Sequence, residues 1–281
     1  MSELREETLE AERLLAEVPF VKRARGWRLY TKKGERILDL YGEGGKAVLG
    51  HRPGQVGRVL KNEISKGLYL RVPSVYLFRL RKALRAFLPT HPHLRLFPSH
   101  EALLAHLASL HDRPCPLHDP ALPASLQPHR SPLVAWARPF LPPPPTPLAV
   151  PVFPIPGLAL PGVLCAREES LLPDVPDALA SPLLLAAMTR SIHDLLGAGD
   201  PFQAVGPYLD TLPPPWRHTG PYLYLEEPPR DHPTLFRRFL SRGILVSPSP
   251  GVPGVFPAEI SPGEWALFRR TAEEVSAELF P

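Results

Sequence analysis

Lys33-Gly34-Glu35-Arg36-Ile37-Leu38-Asp39-Leu40-Tyr41-Gly42-Glu43-Gly44-Gly45-Lys46-Ala47-Val48-Leu49-Gly50-His51-Arg52-Pro53 is the stretch that decides how this chain is read. On its N-terminal side lies Gly26-Trp27-Arg28-Leu29-Tyr30, a short alternating run. Arg36-Ile37-Leu38-Asp39-Leu40 is a second one, and Lys33-Gly34 lies between them. Two alternating runs around a glycine-containing turn make a β-hairpin. A glycine loop, Gly42-Glu43-Gly44-Gly45, then leads to Leu49-Gly50-His51-Arg52-Pro53. Pro53 suits the first turn of a helix running to about Lys66, and Gly67 suits its C-terminal stop.

Further elements follow in both directions. Residues 3–17 read as an amphipathic helix with Leu4, Leu14, Leu15 and Val18 on one side. Residues 74–88 make a basic helix, with Leu77, Leu80, Leu84 and Phe87 inward and Arg79, Arg81, Lys82 and Arg85 outward. Leu94–Phe97 is strand-like and Glu101–Leu110 helical. From Pro114 to about Pro147 the chain reads as loop with one strand candidate at Leu133–Trp136, followed by strands at Val150–Phe153 and Val163–Ala166. Ser181-Pro182 opens a helix to Leu196. A helix near 202–211, a strand at Tyr222–Leu225, a helix at 234–241 and a strand at Ile244–Val246 come next. Ser261-Pro262-Gly263-Glu264 is a capping box that opens a last helix to about Leu279. There is no internal repeat.

Composition narrows the classes. The chain has 281 residues and a 44% apolar fraction, ample for a buried core. Forty residues are proline, nineteen of them within 113–182, so long uninterrupted helices are excluded from the middle third. Pro139 to Ala166 carries no charge, but ten of its 28 residues are proline, which argues for a proline loop and buried strands rather than a membrane span. All seven lysines (Lys22, Lys32, Lys33, Lys46, Lys61, Lys66, Lys82) precede residue 83. Residues 1–95 carry a net charge of +10 and residues 96–281 one of −6. Two cysteines, Cys115 and Cys165, and an acidic start point to a reducing, cytoplasmic setting without disulfides.

The segment Gly26–Leu68 resembles the start of class III aminotransferases, fold-type-I enzymes that depend on pyridoxal phosphate. The shared features are the hairpin, Lys33–Leu40, the glycine loop and the Leu49-Gly50-His51-Arg52-Pro53 helix start. Pro156–Leu164 resembles the family's Gly-Leu-Pro segment, Ser181–Leu196 the helix returning to its small domain, and Gly243–Val246 with Ser261–Leu279 its end. The resemblance implies an α/β fold of the fold-type-I kind, with a truncated central sheet domain and a small α+β domain built from both chain ends. It implies three segments: 1–72, the N-terminal part of the small domain; 73–180, a shortened proline-rich cofactor-type domain; and 181–281, the C-terminal part of the small domain. It also implies a homodimer, or a heteromer with an active paralogue or another enzyme.

The family's chemistry does not carry over residue by residue. The cofactor needs a lysine for the internal aldimine, a few residues before the Gly-Leu-Pro segment. Here that position falls at about Pro154. The pyridine nitrogen needs an acidic partner from a mid-chain strand, but no Asp or Glu lies between Asp119 and Glu168. The phosphate needs backbone amides at a helix start, and Pro98-Ser99-His100-Glu101-Ala102 is shorter than the family's turn and lacks its glycine. The reading is a degenerate member without bound cofactor, acting as an interaction or regulatory pseudoenzyme. Gly42, Gly44, Gly45, Ser99 and His100 are the candidates for a vestigial cleft. The runner-up is a pyridoxal-phosphate enzyme completed by a partner chain.

Other constellations are weaker. Gly42–Ala47 departs from the P-loop pattern, with Leu40 for the first glycine and Ala47 for the hydroxyl. His111, Cys115 and His118 could reach one metal, yet no second ligand pair is near and no metal is expected. The cations Arg79, Arg81, Lys82 and Arg85 could follow a phosphate backbone, but no nucleic-acid motif or interleaved aromatic accompanies them. No Gly-x-Ser-x-Gly elbow is present.

Overall fold

A computed structural model describes residues 2–51, 54–109, 117–127 and 130–280. The expected helix start at Pro53 and the metal candidates His111 and Cys115 lie outside the described residues. Along the chain, α1 (Ser2–Ala16) precedes the meander β1 (Val21–Arg25), β2 (Arg28–Thr31) and β3 (Arg36–Asp39), and α2 (Gly42–Gly45) is a single turn. There follow α3 (Val56–Ser65), α4 (Val75–Phe87), β4 (His93–Phe97), α5 (His100–Ser109), β5 (Val134–Ala137), β6 (Leu148–Pro151), β7 (Gly162–Ala166) and α6 (Pro182–Gly197). The chain ends with α7 (Gly206–Leu209), β8 (Trp216–Thr219), β9 (Tyr222–Leu225), α8 (His232–Ser241), β10 (Ile244–Leu245), β11 (Gly254–Val255) and α9 (Pro262–Leu279).

The chain forms two compact units. One comprises Met1–Arg52, Ala121–Leu126 and Asp200–Pro281, and so contains both chain ends. Its four-stranded sheet has the order β1-β2-β3-β10, with β10 parallel to β3. A second sheet, β11-β9-β8, is antiparallel. Arg28 ties the hairpin to the last helix: Nε donates to Glu264 Oε1 at 2.8 Å and Nη2 to Oε2 at 2.7 Å. The same glutamate closes the capping box, because its amide donates to Ser261 Oγ at 3.2 Å and its Oε2 accepts from the Ser261 amide at 2.9 Å. These bonds use donors that a helix start leaves unpaired. Trp216, Phe239 and Phe268 meet as a buried aromatic cluster, with ring centroids 5.4 to 6.0 Å apart.

The other unit comprises Pro53–Pro120 and Gln127–Gly199. Its sheet has the order β4-β7-β6-β5; β7 runs antiparallel to β4 and β6, and β5 runs parallel to β6. Side chains alternate across this sheet, as the period of two requires. Val134, Leu148, Val150 and Leu164 face Leu103 and Leu107 of α5. Leu94, Leu96, Ala137, Ala149 and Cys165 face the core shared with Leu80 and Leu84 of α4 and Leu185, Met188 and Ile192 of α6. Each fully buried aliphatic side chain contributes about 1.5–3 kcal/mol relative to exposure.

Several boundaries differ from the sequence reading. α3 and α6, expected with the chain ends, belong to the second unit, so its limits fall at 53 and 199 rather than 73 and 180. β6 starts at Leu148 instead of Val150, because Leu148 and Ala149 pair with Ala166 and Cys165 of β7. Residues 202–211 hold a 3-10 turn, Gln203–Val205, and the short α7 rather than one helix. Strands β1, β8 and β11 have no counterpart in the sequence reading. In the proline-rich stretch the described residues hold a bridge at His118, a 3-10 turn at Ala124–Leu126 and β5.

Candidate functional site

Strand directions define one end of the second unit's sheet. β4, β5 and β6 all point the same way, so the residues that follow them gather at one edge. In open α/β sheets that C-terminal edge is where ligands bind. It carries Ser99 and His100 after β4, Arg138 after β5, and Phe153-Pro154-Ile155 after β6.

At α5 the Leu103 amide donates to the Ser99 carbonyl at 3.2 Å, and the Ala102 amide to Ser99 Oγ at 3.2 Å. The Glu101 carboxyl is held below the ordinary carboxylate range, first by the Ser99 hydroxyl and second by its own backbone N–H. The His100 ring stacks on Trp136 of β5, with centroids 5.2 Å apart and planes 27° apart. Gly162 makes the close approach possible: a Cβ there would come within 2.6 Å of the Ser99 carbonyl oxygen.

Arg138 is 6% exposed. Its Nε donates to Asp119 Oδ1 at 2.6 Å and its Nη2 to Oδ2 at 2.5 Å, a bidentate pair. Asp119 is held in turn through its backbone, because its amide donates to Gln127 Oε1 at 2.6 Å and its carbonyl accepts from Gln127 Nε2 at 2.8 Å. Beyond β6, Phe153, Pro154 and Ile155 are all buried. The described His118 ring has its pKa lowered by burial and then by Arg130. Among the described residues no group of three or more His, Cys, Asp or Glu is placed to hold a metal.

The glycine loop lies in the first unit. Gly42, Glu43, Gly44 and Gly45 all have positive φ, from 52° to 82°. Three of these four positions are glycine, which tolerates the left-handed region; Glu43 adopts it against its side chain. Asp39, buried at the end of β3, organises the turn. Its Oδ1 accepts from the Tyr41 and Gly42 amides at 2.9 Å each, and its Oδ2 lies 2.6 Å from His51 Nε2. A carboxylate only accepts, so Nε2 is the donor of this bond. Burial, with Glu43 and Asp39 nearby, pushes the Tyr41 hydroxyl up to about 12. Beside Leu40, Val252 and Gly254 lies a cavity of about 20 Å³, lined also by His232 and Ser247. That is room for about one water.

The candidates therefore divide: Gly42, Gly44 and Gly45 share one loop of the first unit, and Ser99 and His100 share one helix start of the second. The sequence reading missed Trp136, the Asp119–Arg138 pair and the Asp39–His51 pair. Only the last had a signal, both residues standing in the deciding stretch.

No protein-family model matches the chain. Two curated relatives are uncharacterized proteins. One, from Treponema pallidum, is 39% identical over 71 residues, 25% of this chain and 23% of the relative. The other, from Borreliella burgdorferi, is 43% identical over 63 residues, 22% of this chain and 23% of the relative. The matched segment thus spans under a quarter of either relative. Solved structures match over nearly the whole chain. A transaminase with PLP bound has a TM-score of 0.63 at 13% identity, covering 98% of both chains. Plasmodium falciparum ornithine delta-aminotransferase has a TM-score of 0.65 at 11% identity, covering 97% of this chain and 100% of the other. A β-phenylalanine aminotransferase from Variovorax paradoxus has a TM-score of 0.60 at 13% identity, covering 98% and 94%. The fold is accordingly the α/β fold of the aminotransferases. Among the described residues no helix is long and apolar enough to cross a membrane.

Proposed function

We propose that this protein keeps the aminotransferase fold but has lost transamination, and acts through interaction with a second copy, an active paralogue or another enzyme. The observation that carries the reading is the distribution of lysine. The position before the Gly-Leu-Pro-like segment falls at Pro154, buried just beyond β6, and no lysine follows Lys82. An arginine cannot serve instead, because its guanidinium stays protonated and is no nucleophile for a carbonyl.

Two further features support the reading that pyridoxal phosphate does not fit these residues. Asp119, the carboxylate paired with Arg138 after β5, is already engaged, so it is not offered to a pyridinium nitrogen. At the start of α5 the Ala102 amide is already taken by Ser99 Oγ. The lysines in this unit, Lys61, Lys66 and Lys82, sit on α3 with its C-terminal cap and on α4. α4 packs against the sheet face opposite α5.

The reading predicts that purified protein is colourless in the aldimine region and stays so after incubation with pyridoxal phosphate and removal of excess. A stable aldimine band at one cofactor per chain would refute it. If that band appeared only when a second protein was added, a site completed by a partner chain would replace it.

A further inference from the structure

We infer that the outer face of helix α4 is a docking surface for helix α1 of a second copy of this chain. This rests on the reading above, which leaves three kinds of partner open, and goes beyond it by naming the partner and the face. Five of the fourteen exposed large apolar side chains among the described residues fall within 64–78. Phe78 is 69% exposed, and Tyr69, Leu70 and Val75 are each more than half exposed. Val75, Phe78, Arg79 and Lys82 stand at i, i+3, i+4 and i+7, so they share one face of α4. The other face, with Tyr76, Leu80, Ala83 and Leu84, is buried in the core that α4 shares with α6. Exposed apolar groups gathered in one place mark a contact surface, whereas scattered single ones do not.

Charge decides what covers this face. From Val56 to Phe87 the chain carries eight basic side chains and one acidic one, Glu63. Lys66 is paired with Glu63, and Arg81 with Asp177. Arg58, Lys61, Arg71, Arg79, Lys82 and Arg85 have no carboxylate partner among the described residues. Two such faces set against each other would bring like charges together, so the face does not pair with its own counterpart. Its occupant carries an apolar group flanked by anions.

Helix α1 has that chemistry. Ser2–Glu17 carries six acidic and two basic side chains. Leu14 is buried, and Glu17, just past the helix, is ion-paired with Arg237 of α8, so one side of α1 is held on its own unit. On the side away from Leu14, Leu9 is exposed, with Glu6 three residues before it and Glu12 three after. Both glutamates are exposed, and neither has a basic partner among the described residues; the ion pair within α1 is Glu10–Arg13 at 3.5 Å. Leu9 thus matches Val75 and Phe78, and the two carboxylates match Arg79 and Lys82.

The test is sedimentation velocity on full-length protein. The wild type should self-associate at micromolar concentration, and less tightly at about 0.5 M NaCl than at about 0.05 M. Arg79→Glu/Lys82→Glu and Glu6→Lys/Glu12→Lys should each weaken self-association at least about tenfold. Mixed together, these two variants should associate about as tightly as the wild type, because every α1–α4 contact between them then joins opposite charges. That recovery also shows that both variants are folded. Phe78→Asp should weaken self-association at least about thirtyfold. A wild type that is monomeric at about 100 μM would overturn the inference. So would self-association untouched by the charge reversals, or variants that stay apart when mixed. Binding of a monomeric wild type to phosphatidylserine vesicles, lost in Arg79→Glu/Lys82→Glu, would assign the face to a lipid surface and overturn it too. The two readings fail separately. A single-lysine aldimine would sink the loss of transamination whatever the oligomeric state, whereas a monomer without an aldimine would sink the docking face alone.

Discussion

Glu264→Gln is the perturbation that most directly tests how the two chain ends are joined. Glu264 stands at the start of α9, 8% exposed at its side chain, and meets Arg28 of β2 through two hydrogen bonds of 2.8 and 2.7 Å. The Arg28 hydrogen bonds, followed by those from Ser261, hold its carboxyl at about 2 against a usual 4.5; burial opposes them. A fall of that size corresponds to about 3 kcal/mol at 1.36 kcal/mol per unit. Hydrogen bonds to charged groups are worth about 1.5–3 kcal/mol, which brackets the same range. Because the folded pKa is depressed, this stability is fully present above about pH 4.5 and is lost as pH falls toward 2. Urea unfolding from pH 7 to pH 3 should show the wild type about 2–3 kcal/mol more stable than Glu264→Gln at neutral pH. The gap should narrow steadily below pH 4.5. A gap under about 0.5 kcal/mol at pH 7, or one that stays constant down to pH 3, would refute the reasoning.

Four further outcomes follow from other parts of the molecule. Arg138→Met should cost about 3–5 kcal/mol by leaving Asp119 buried without its guanidinium, and adding Asp119→Leu should recover much of it; equal losses in the single and double variants, read by urea unfolding, would contradict this. Gly42→Ala should destabilise by about 1–3 kcal/mol, because φ is +53° and a Cβ would meet Val255 Cγ1 at 2.6 Å. Gly34→Ala, at φ +89° with nothing within 4 Å of a Cβ, should cost less, and thermal unfolding of the two variants gives the order. His51→Ala should cost about 1–3 kcal/mol by removing the partner of buried Asp39 Oδ2, and amide exchange at Tyr41 and Gly42 should quicken. The Cys165 thiol, pushed up to about 12 by burial, should react with a disulfide reagent only at the rate of unfolding.

What the sequence made legible was local. The deciding stretch specifies its hairpin because two short strand-forming runs, Arg28–Thr31 and Arg36–Asp39, flank the turn at Lys33-Gly34 and pair antiparallel. The α9 start is specified because Ser261 and Glu264 stand at capping-box spacing, and both bonds form. What stayed hidden depends on partners far along the chain. β8, Trp216-Arg217-His218-Thr219, has too little alternation to be seen and becomes a strand by pairing with β9. β11 has only two residues, and its register is set by β9. The sequence points to a β6 start two residues late because Val152 and Phe153 look like strand, while hydrogen bonding to β7 favours Leu148 and Ala149. The same holds for the candidate site. Ser99 and His100 were visible as a shortened phosphate turn, but Trp136 beneath His100 and the pairing of Arg138 with Asp119 arise only when β4, β5 and β6 align. The absence of lysine after Lys82 is legible without geometry, since it holds wherever the strands end.

The central claim is that no lysine of this chain serves as a cofactor anchor, and the most direct measurement is reductive trapping. Full-length protein is incubated with pyridoxal phosphate, reduced with borohydride and digested, and the modified lysines are mapped by peptide mass. The account predicts no labelling, or scattered substoichiometric labelling of surface lysines such as Lys32 and Lys33. One stoichiometric adduct on a single lysine, with transaminase turnover lost when that lysine is replaced, would contradict it.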